Sequence, residues 1–402
     1  MSSIAPLLTM FFLIAYGMIN LIVFIEKQIG ITSYRPSFDI PLIVPAIGAL
    51  WSAAAMFLIN PLFAASSIVM IILLFLLQVR ARHIAPWGDV REGLFNALAE
   101  WAIRMGARMP KSPKSWKPNL MVPVGNPERW MERMSIVRDI AFPKGSIRVF
   151  HVRVLEKGIK ESIKSHVSNL FSKEGSKVED GQRESAEFED SLIELTQPLK
   201  EMKMLTATTV IDANDFVEGV SIVTQSLRGM PLPPNVMFLS MSRDEEGDKR
   251  LESLLSIAIR ERMGVILLKK DPENGFGSRK KINLWLRKGS PNRNLTTLTA
   301  IQLEKNWDGM LNLINTVKED SEVSLAITAL EVLAQRGRLP ADTQKRVVVG
   351  DFYEELKKGA NADIHIFGFS DDLDVKMMRR IAETVNGSCL FVRDSGTESA
   401  LA

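Results

Sequence analysis

Residues 40–79 read IPLIVPAIGALWSAAAMFLINPLFAASSIVMIILLFLLQV, without one charged side chain. As a single helix this run would extend about 60 Å at ~1.5 Å per residue. That is roughly twice the ~30 Å hydrocarbon thickness of a bilayer. Asn60-Pro61 stands at its midpoint. Proline lacks a backbone N–H and its ring collides with the preceding turn, so the helix is expected to break there. The stretch predicts a helical hairpin, one arm over 41–59 and the return arm over 61–79. A soluble helix pair is disfavoured, because neither arm has a polar face to offer water.

Met1 to Ile25 is a second uncharged run of spanning length. It has no basic leading segment and is longer than a signal peptide needs, so a span over about 4–25 is expected. Gly17 and Asn20 are small or polar positions in it, which mark packing against other helices. From Arg80 to Lys117, eight Lys or Arg stand against three acids, Asp89, Glu92 and Glu100. Basic flanks stay on the cytoplasmic side. Three spans in residues 1–80 then put the N-terminus and the Asn60-Pro61 corner outside and all later residues in the cytoplasm.

Residues 81–117 read as a connecting helix and a linker. Over Asp89–Arg108, Leu94, Leu98, Trp101 and Met105 recur on one helical face, and Asp89 with Glu92 resembles a capping box. This stripe is expected to pack on the soluble domain or a partner subunit rather than on lipid. Lys111–Pro118, rich in Lys, Ser and Pro, is the linker.

Hydrophobic content is 46%, ordinary for a globular protein, so the apolar bias is a property of the first 80 residues. A net charge of +3 gives no reason to expect nucleic acid. The single cysteine, Cys389, excludes an intrachain disulfide and fits a reducing cytosol. From residue 118 the pattern changes to short apolar runs alternating with helical stretches. Strands are expected at 119–124, 147–152, 205–211, 236–240, 265–268, 282–286, 310–314, 347–349, 364–369 and 389–392. Helices are expected near 128–140, 157–171, 192–202, 214–227, 251–263, 323–335 and 373–385. Such alternation predicts parallel sheets covered by helices. Gly229 and Pro231, Pro233 and Pro234 mark a boundary. Two tandem Rossmann-like α/β subdomains are therefore expected, 118–230 and 231–402, with a mobile acidic insertion at 173–187.

The chain holds neither a G-x-G-x-x-G after a strand nor a G-x-x-x-x-G-K-[ST] loop. Its four histidines are scattered, and His151 and His365 fall inside strands as structural residues. Cys389 reads as a core thiol and Asp215 as a helix cap. No enzyme, metal site or cofactor is expected. Open parallel sheets take ligands beyond the carboxyl ends of their strands. Gly125, Asn126 and Asp212 hold such positions and form the candidate nucleotide or small-anion pocket.

Several stretches then carry a resemblance. Tyr34-Arg35-Pro36-Ser37-Phe38 resembles W-R-P-S-F, Gly48-Ala49-Leu50 with Met56-Phe57-Leu58-Ile59-Asn60 resembles G-A-L…MFLIN, and Pro86-Trp87-Gly88 resembles a post-membrane W-G segment. Lys117-Pro118-Asn119-Leu120 with Val124-Gly125-Asn126-Pro127 is similar to R-P-x-L-L-V-L-T-G-x-P, and Pro233-Pro234-Asn235-Val236-Met237 to R-P-N-T-L. Trp285-Leu286 with Asn294-Leu295-Thr296-Thr297-Leu298 and Trp307 resembles W-W-L…G-L-T-L-L…W. Ala362-Asp363-Ile364 and Leu390-Phe391-Val392-Arg393 resemble A-D-L and L-L-V-R. In this order they resemble the C-terminal part of the cation–chloride cotransporters, in the amino acid–polyamine–cation superfamily. The resemblance implies the last three of twelve spans plus a cytoplasmic regulatory domain that forms a homodimer. It also implies that the ion sites lie in other helices, in the same or a separate chain, so these residues alone are not expected to transport ions. The competing expectation is a stand-alone, membrane-anchored sensor whose α/β domain binds a nucleotide, like the universal stress proteins.

Overall fold

Asn60 ends one helix and begins the next in the computed structural model of the chain. Its N–H donates to Met56 O at 3.1 Å, and its Oδ1 accepts from the N–H of Phe63 at 3.1 Å. Pro61 takes the first helical position, where no N–H is needed. The structure describes residues 4–29, 40–80, 90–109, 115–154, 176–242, 245–287, 292–358, 361–369 and 374–400. It falls into two compact units, Met1–Pro110 and Lys111–Ala402.

The first unit holds α1 (Ile4–Ile29), α2 (Ile43–Ile59), α3 (Pro61–Arg80) and α4 (Val90–Arg108). Helices α1 and α2 approach where small residues permit it. A Cβ on Gly17 would lie 3.3 Å from Ser52 Cβ, and one on Gly48 would lie 2.6 Å from Asn20 Oδ1. Gly17 and Asn20 thus do what their residue types promise. Ser52 and Asn20 satisfy their polar groups locally, on Gly48 O and Tyr16 O, each at 2.9 Å. Among the described residues, one helical segment, Leu8–Gln28, is long and apolar enough to cross a membrane. Helix α2 and the Pro61–Leu74 part of α3 are apolar but shorter. On α4 the expected stripe is exposed at Leu98, Trp101 and Met105, while Asp89 lies outside the described residues.

The second unit is one ten-stranded sheet. Its strands are β1 (Asn119–Val124), β2 (Ser146–Val154), β3 (Leu205–Ala213), β4 (Val236–Ser240), β5 (Gly264–Lys269), β6 (Lys281–Leu286), β7 (Met310–Val317), β8 (Gln344–Val349), β9 (Ile364–Gly368) and β10 (Ser388–Arg393). Their order is β3-β2-β1-β4-β5-β10-β9-β6-β7-β8. Helices α5 (Met131–Ala141), α6 (Ser176–Glu201), α7 (Phe216–Arg228), α8 (Glu245–Arg260), α9 (Arg293–Trp307), α10 (Val323–Arg336), α11 (Phe352–Lys357) and α12 (Val375–Thr384) connect them. Every neighbouring pair is parallel except β5–β10, which runs antiparallel from Cys389 opposite Lys269 to Arg393 opposite Val265. Read inward from its own edge, each half has the same order, third-second-first-fourth-fifth. The unit is an internal repeat joined at its two fifth strands.

Three expectations change here. The two subdomains share one continuous sheet instead of having a sheet each. The division does not fall at 230/231, because β4 pairs with β1 through Leu120 opposite Val236 and carries β5 with it. The halves are 119–269 and 281–393, and 270–280 connects them. The acidic stretch expected to be mobile is helical from Ser176, as the first part of α6. Its Glu, Gln, Lys and Arg content favours helix. It also runs directly into an apolar stripe, Leu192, Leu195 and Leu199, that buries on the sheet. The helix expected near 157–171 lies outside the described residues. Strands buried on both faces explain the unbroken apolar runs. Leu120 and Val122 face one core and Met121 between them faces the other.

Candidate functional site

A sheet with this strand order has a crevice at each reversal of order, between β1 and β4 and between β6 and β9, on the side of the carboxyl ends. In the first half, Gly125 and Asn126 follow β1 there, both exposed. Asn126 Oδ1 accepts from Arg129 N at 3.3 Å and opens the turn leading into α5. Asp212 is not with them. It sits on the edge strand β3, with β2 between it and β1, and pairs in register with Arg153. The guanidinium grips its carboxylate at 2.6 and 2.7 Å, so its charge is matched at the exposed edge of the sheet. The ring of Phe216, at the start of α7, is 4.0 Å from where a Gly125 Cβ would stand. His151 gives its Nδ1 to Val124 O at 2.9 Å and stacks on Phe188, ring centroids 4.2 Å apart. Asp215 caps α7 by accepting from Glu218 N, while Glu218 reaches back to accept from Asn214 N, the residue before the cap.

The corresponding crevice in the second half is built from residues that sequence reasoning missed. Asp394 follows β10 and aims its carboxylate at the start of α9, accepting from Asn294 N at 3.1 Å and Leu295 N at 2.9 Å. Asn292 locks the arrangement, accepting from Asp394 N at 3.0 Å and donating to Phe369 O. Burial, with the nearby Glu398 charge, pushes the Asp394 carboxyl up to about 6 against the pull of those N–H donors. Glu398 is itself buried and accepts from Ser395 N and Thr397 N. A helix N-terminus attracts an anion, and here the chain's own carboxylate fills that place. The available signal was a pair of acids within five residues of the last strand, Asp394 and Glu398.

The remaining sequence candidates are structural. His365 accepts from Trp285 Nε1 at 3.1 Å on Nδ1, so its Nε2 carries the proton and donates to Asn386 O at 3.1 Å. Burial lowers its pKa to about 4, with the Asn386 carbonyl opposing, and the ring is neutral at pH 7. Cys389 is buried in β10, and burial pushes its thiol far up. A polar concavity of about 500 Å³ lies at the opposite, amino ends of β6 and β9. There Asp363 accepts from the backbone N–H groups of Ser278, Lys280 and Lys281 and from the Ser278 hydroxyl. Among the described residues no group of three or more His, Cys, Asp or Glu is placed to hold a metal.

Residues 177–276 match the first C-terminal domain of the prokaryotic cation-chloride cotransporters, and residues 277–401 match the second. The border between them falls in the 270–280 connection that separates the two halves of the sheet. The chain is 29% identical over 178 residues to solute carrier family 12 member 9 of Xenopus laevis, covering 43% of this chain and 19% of that protein. It is 32% identical over 128 residues to vacuolar cation-chloride cotransporter 1 of Saccharomyces cerevisiae, covering 31% of this chain and 11% of that protein. These matches span less than a fifth of either relative. The crystal structure of the cytoplasmic domain of a prokaryotic cation chloride cotransporter superposes with a TM-score of 0.58 and 25% identity, covering 71% of this chain and 98% of that one. Two consecutive family domains on one sheet, and a solved relative with the same fold, establish that the chain belongs to the cation–chloride cotransporter family, as a C-terminal part of it.

Proposed function

We propose that this chain is the scaffold and regulatory part of a cation–chloride cotransporter-like secondary transporter. Helices α1–α3 cross the membrane as three spans, and the ten-stranded unit lies in the cytoplasm of an integral membrane protein. The unit forms a homodimer and couples to the transport core through residues 81–117. Cation-coupled chloride movement belongs to the complete transporter, whose ion-binding helices are in the same polypeptide or a partner chain. The observation that carries this reading is the continuous sheet spanning both matched family domains, which joins two tandem halves into one compact unit. The nucleotide-sensor reading is weakened because Arg153 matches Asp212 and Asp394 fills the α9 N-terminus.

The test uses the full chain with its cysteine removed, Cys389→Ser. Asn60→Cys in that background is expected to react with a membrane-impermeant maleimide on intact cells, and Glu273→Cys only after lysis. Light scattering of the detergent-solubilised chain is expected to give twice the 45.0 kDa of one copy. Labelling of Glu273→Cys from outside would overturn the topology, and a monomer at micromolar concentration would overturn the dimer.

A further inference from the structure

Helices α5 and α9, one from each half of the sheet, flank a half-open cavity of about 240 Å³ that reaches Ile266 on β5. Ile140 and Ala141 from α5 and Leu295 and Leu298 from α9 make its walls apolar. Trp116 and Thr299 also line it, and the Trp116 Nε1 and Thr299 Oγ1 atoms are buried without a hydrogen-bond partner. Thr299 is only 2% exposed. Its neighbours on α9 behave differently: Thr296 and Thr297 bond back to Asn292 O and Arg293 O, each at 2.7 Å. Buried polar groups are almost always paired, because an unmade bond leaves the group's loss of hydration uncompensated. A purely apolar cavity would have no use for them.

Three lysines complete the lining, Lys117, Lys144 and Lys305, the last two exposed. Among the described residues Lys117 and Lys144 form no ion pair. Lys305 has Glu304 beside it, whose carboxyl is pushed up by burial and by the charges of Asp342 and Asp308. The cavity thus combines an apolar interior, two idle hydrogen-bonding groups and an excess of positive charge at its border. Its volume equals about eight water-sized groups at ~30 Å³ each, the bulk of a short aliphatic or aromatic acid.

We propose that this cavity binds a small amphiphilic carboxylate. Its apolar body lies between α5 and α9, and its carboxylate accepts from the Trp116 N–H and the Thr299 hydroxyl and faces the lysines. Such a ligand touches both halves of the sheet and also Trp116–Pro118, the segment through which the chain enters β1. Occupancy therefore clamps the entry segment against the sheet, which makes the site regulatory.

The probe is 4-fluorobenzoate, followed by ¹⁹F NMR on the full chain in detergent. Saturable binding is expected, at least about tenfold weaker in Thr299→Val and in the double variant Lys117→Gln with Lys144→Gln, since the first removes a charge-assisted hydrogen bond and the second the facing positive charge. Thr299→Val keeps the side-chain shape, and an unchanged melting temperature shows that it folds. Neutral 4-fluorobenzamide is expected to bind at least tenfold more weakly. Displacement by octanoate would identify an aliphatic, membrane-derived acid, and resistance to octanoate an aromatic one; either supports the site. Equal binding by wild type and both variants places the probe in micelles or elsewhere and overturns the proposal. No saturable binding, meaning a cavity that holds water only, overturns it as well, and so does equal affinity for the amide.

Discussion

Trp307 donates its indole N–H to the carboxylate of Asp139 at 2.8 Å, across 168 positions of sequence. Asp139 lies on α5 in the first half and Trp307 ends α9 in the second. Asp139 is 5% exposed and also meets Arg138 at 2.6 Å and Arg279 at 3.5 Å. Asn306, one residue before the tryptophan, donates to the carbonyls of Asp139 and Phe142. The two halves are therefore held by polar contacts between their helices as well as by the β5–β10 seam.

Asp139→Ala strands the indole N–H and leaves two partly buried guanidinium groups without their counter-charge. A loss of about 2–4 kcal/mol is expected. Trp307→Phe removes one hydrogen bond and keeps the ion pairs, so about 1–2 kcal/mol is expected. Urea unfolding of the full chain in detergent measures both. A loss below about 0.5 kcal/mol for Asp139→Ala, the size of an ordinary surface change, would mean that the halves do not depend on this contact.

Asp394 and His365 give opposing pH trends. With Asp394 raised from 3.8 to about 6, the folded chain keeps a proton that the unfolded chain has already lost. Its contribution to stability is complete below pH 3.8 and disappears as pH rises through about 6. With His365 lowered from 6.5 to about 4, the unfolded chain takes up its proton first. That contribution is complete above pH 6.5 and disappears as pH falls through about 4. Asp394→Asn removes only the first trend. Its melting temperature is expected to drop more steeply than that of wild type between pH 6.5 and pH 4. Parallel profiles would show that Asp394 titrates normally.

Gly387 has φ +124°, and a Cβ there would stand 2.2 Å from Ala362 O. Gly387→Ala is expected to cost about 2–4 kcal/mol, because backbone on both sides must move. Gly229 ends α7 with φ −81° and has open space around it. Gly229→Ala is expected to lie within about 1 kcal/mol of wild type, on the stabilising side. Thermal melts of the two variants side by side settle the contrast.

Gly17→Cys with Ser52→Cys, in the Cys389→Ser background, is expected to form a disulfide on mild oxidation, since the two Cβ atoms would lie about as close as a disulfide requires. Adding Gly48→Leu, whose side chain must displace Asn20, is expected to reduce the yield severalfold. Mass spectrometry of peptides after digestion reads the cross-link. Equal yield with and without Gly48→Leu would show that α1 and α2 are not packed through these residues.

The sequence by itself determined where most of the elements lie, though not α9, α11 or the first part of α6. The break at Asn60-Pro61 follows from a ring that cannot continue a helix, and the buried strands follow from apolar runs too short for helices. Asp215 reads as a cap because a short side-chain oxygen can reach the N–H groups of the next turn. These are local effects, carried by residues within a few positions of one another. Only the tertiary structure decided what was joined to what. Nothing near Leu267 or Phe391 announces that β5 and β10 pair antiparallel and merge two repeats into one sheet, because that register depends on residues over a hundred positions apart. Arg153 reached Asp212 the same way, through strand register, and removed the acid from the pocket in which its strand-end position had placed it. Asp394, Asn292 and Thr299 look like ordinary loop or helix polar residues. Their roles come from burial, which sets the acidity of one, fixes the hydrogen bonds of the second and leaves the hydroxyl of the third facing a cavity.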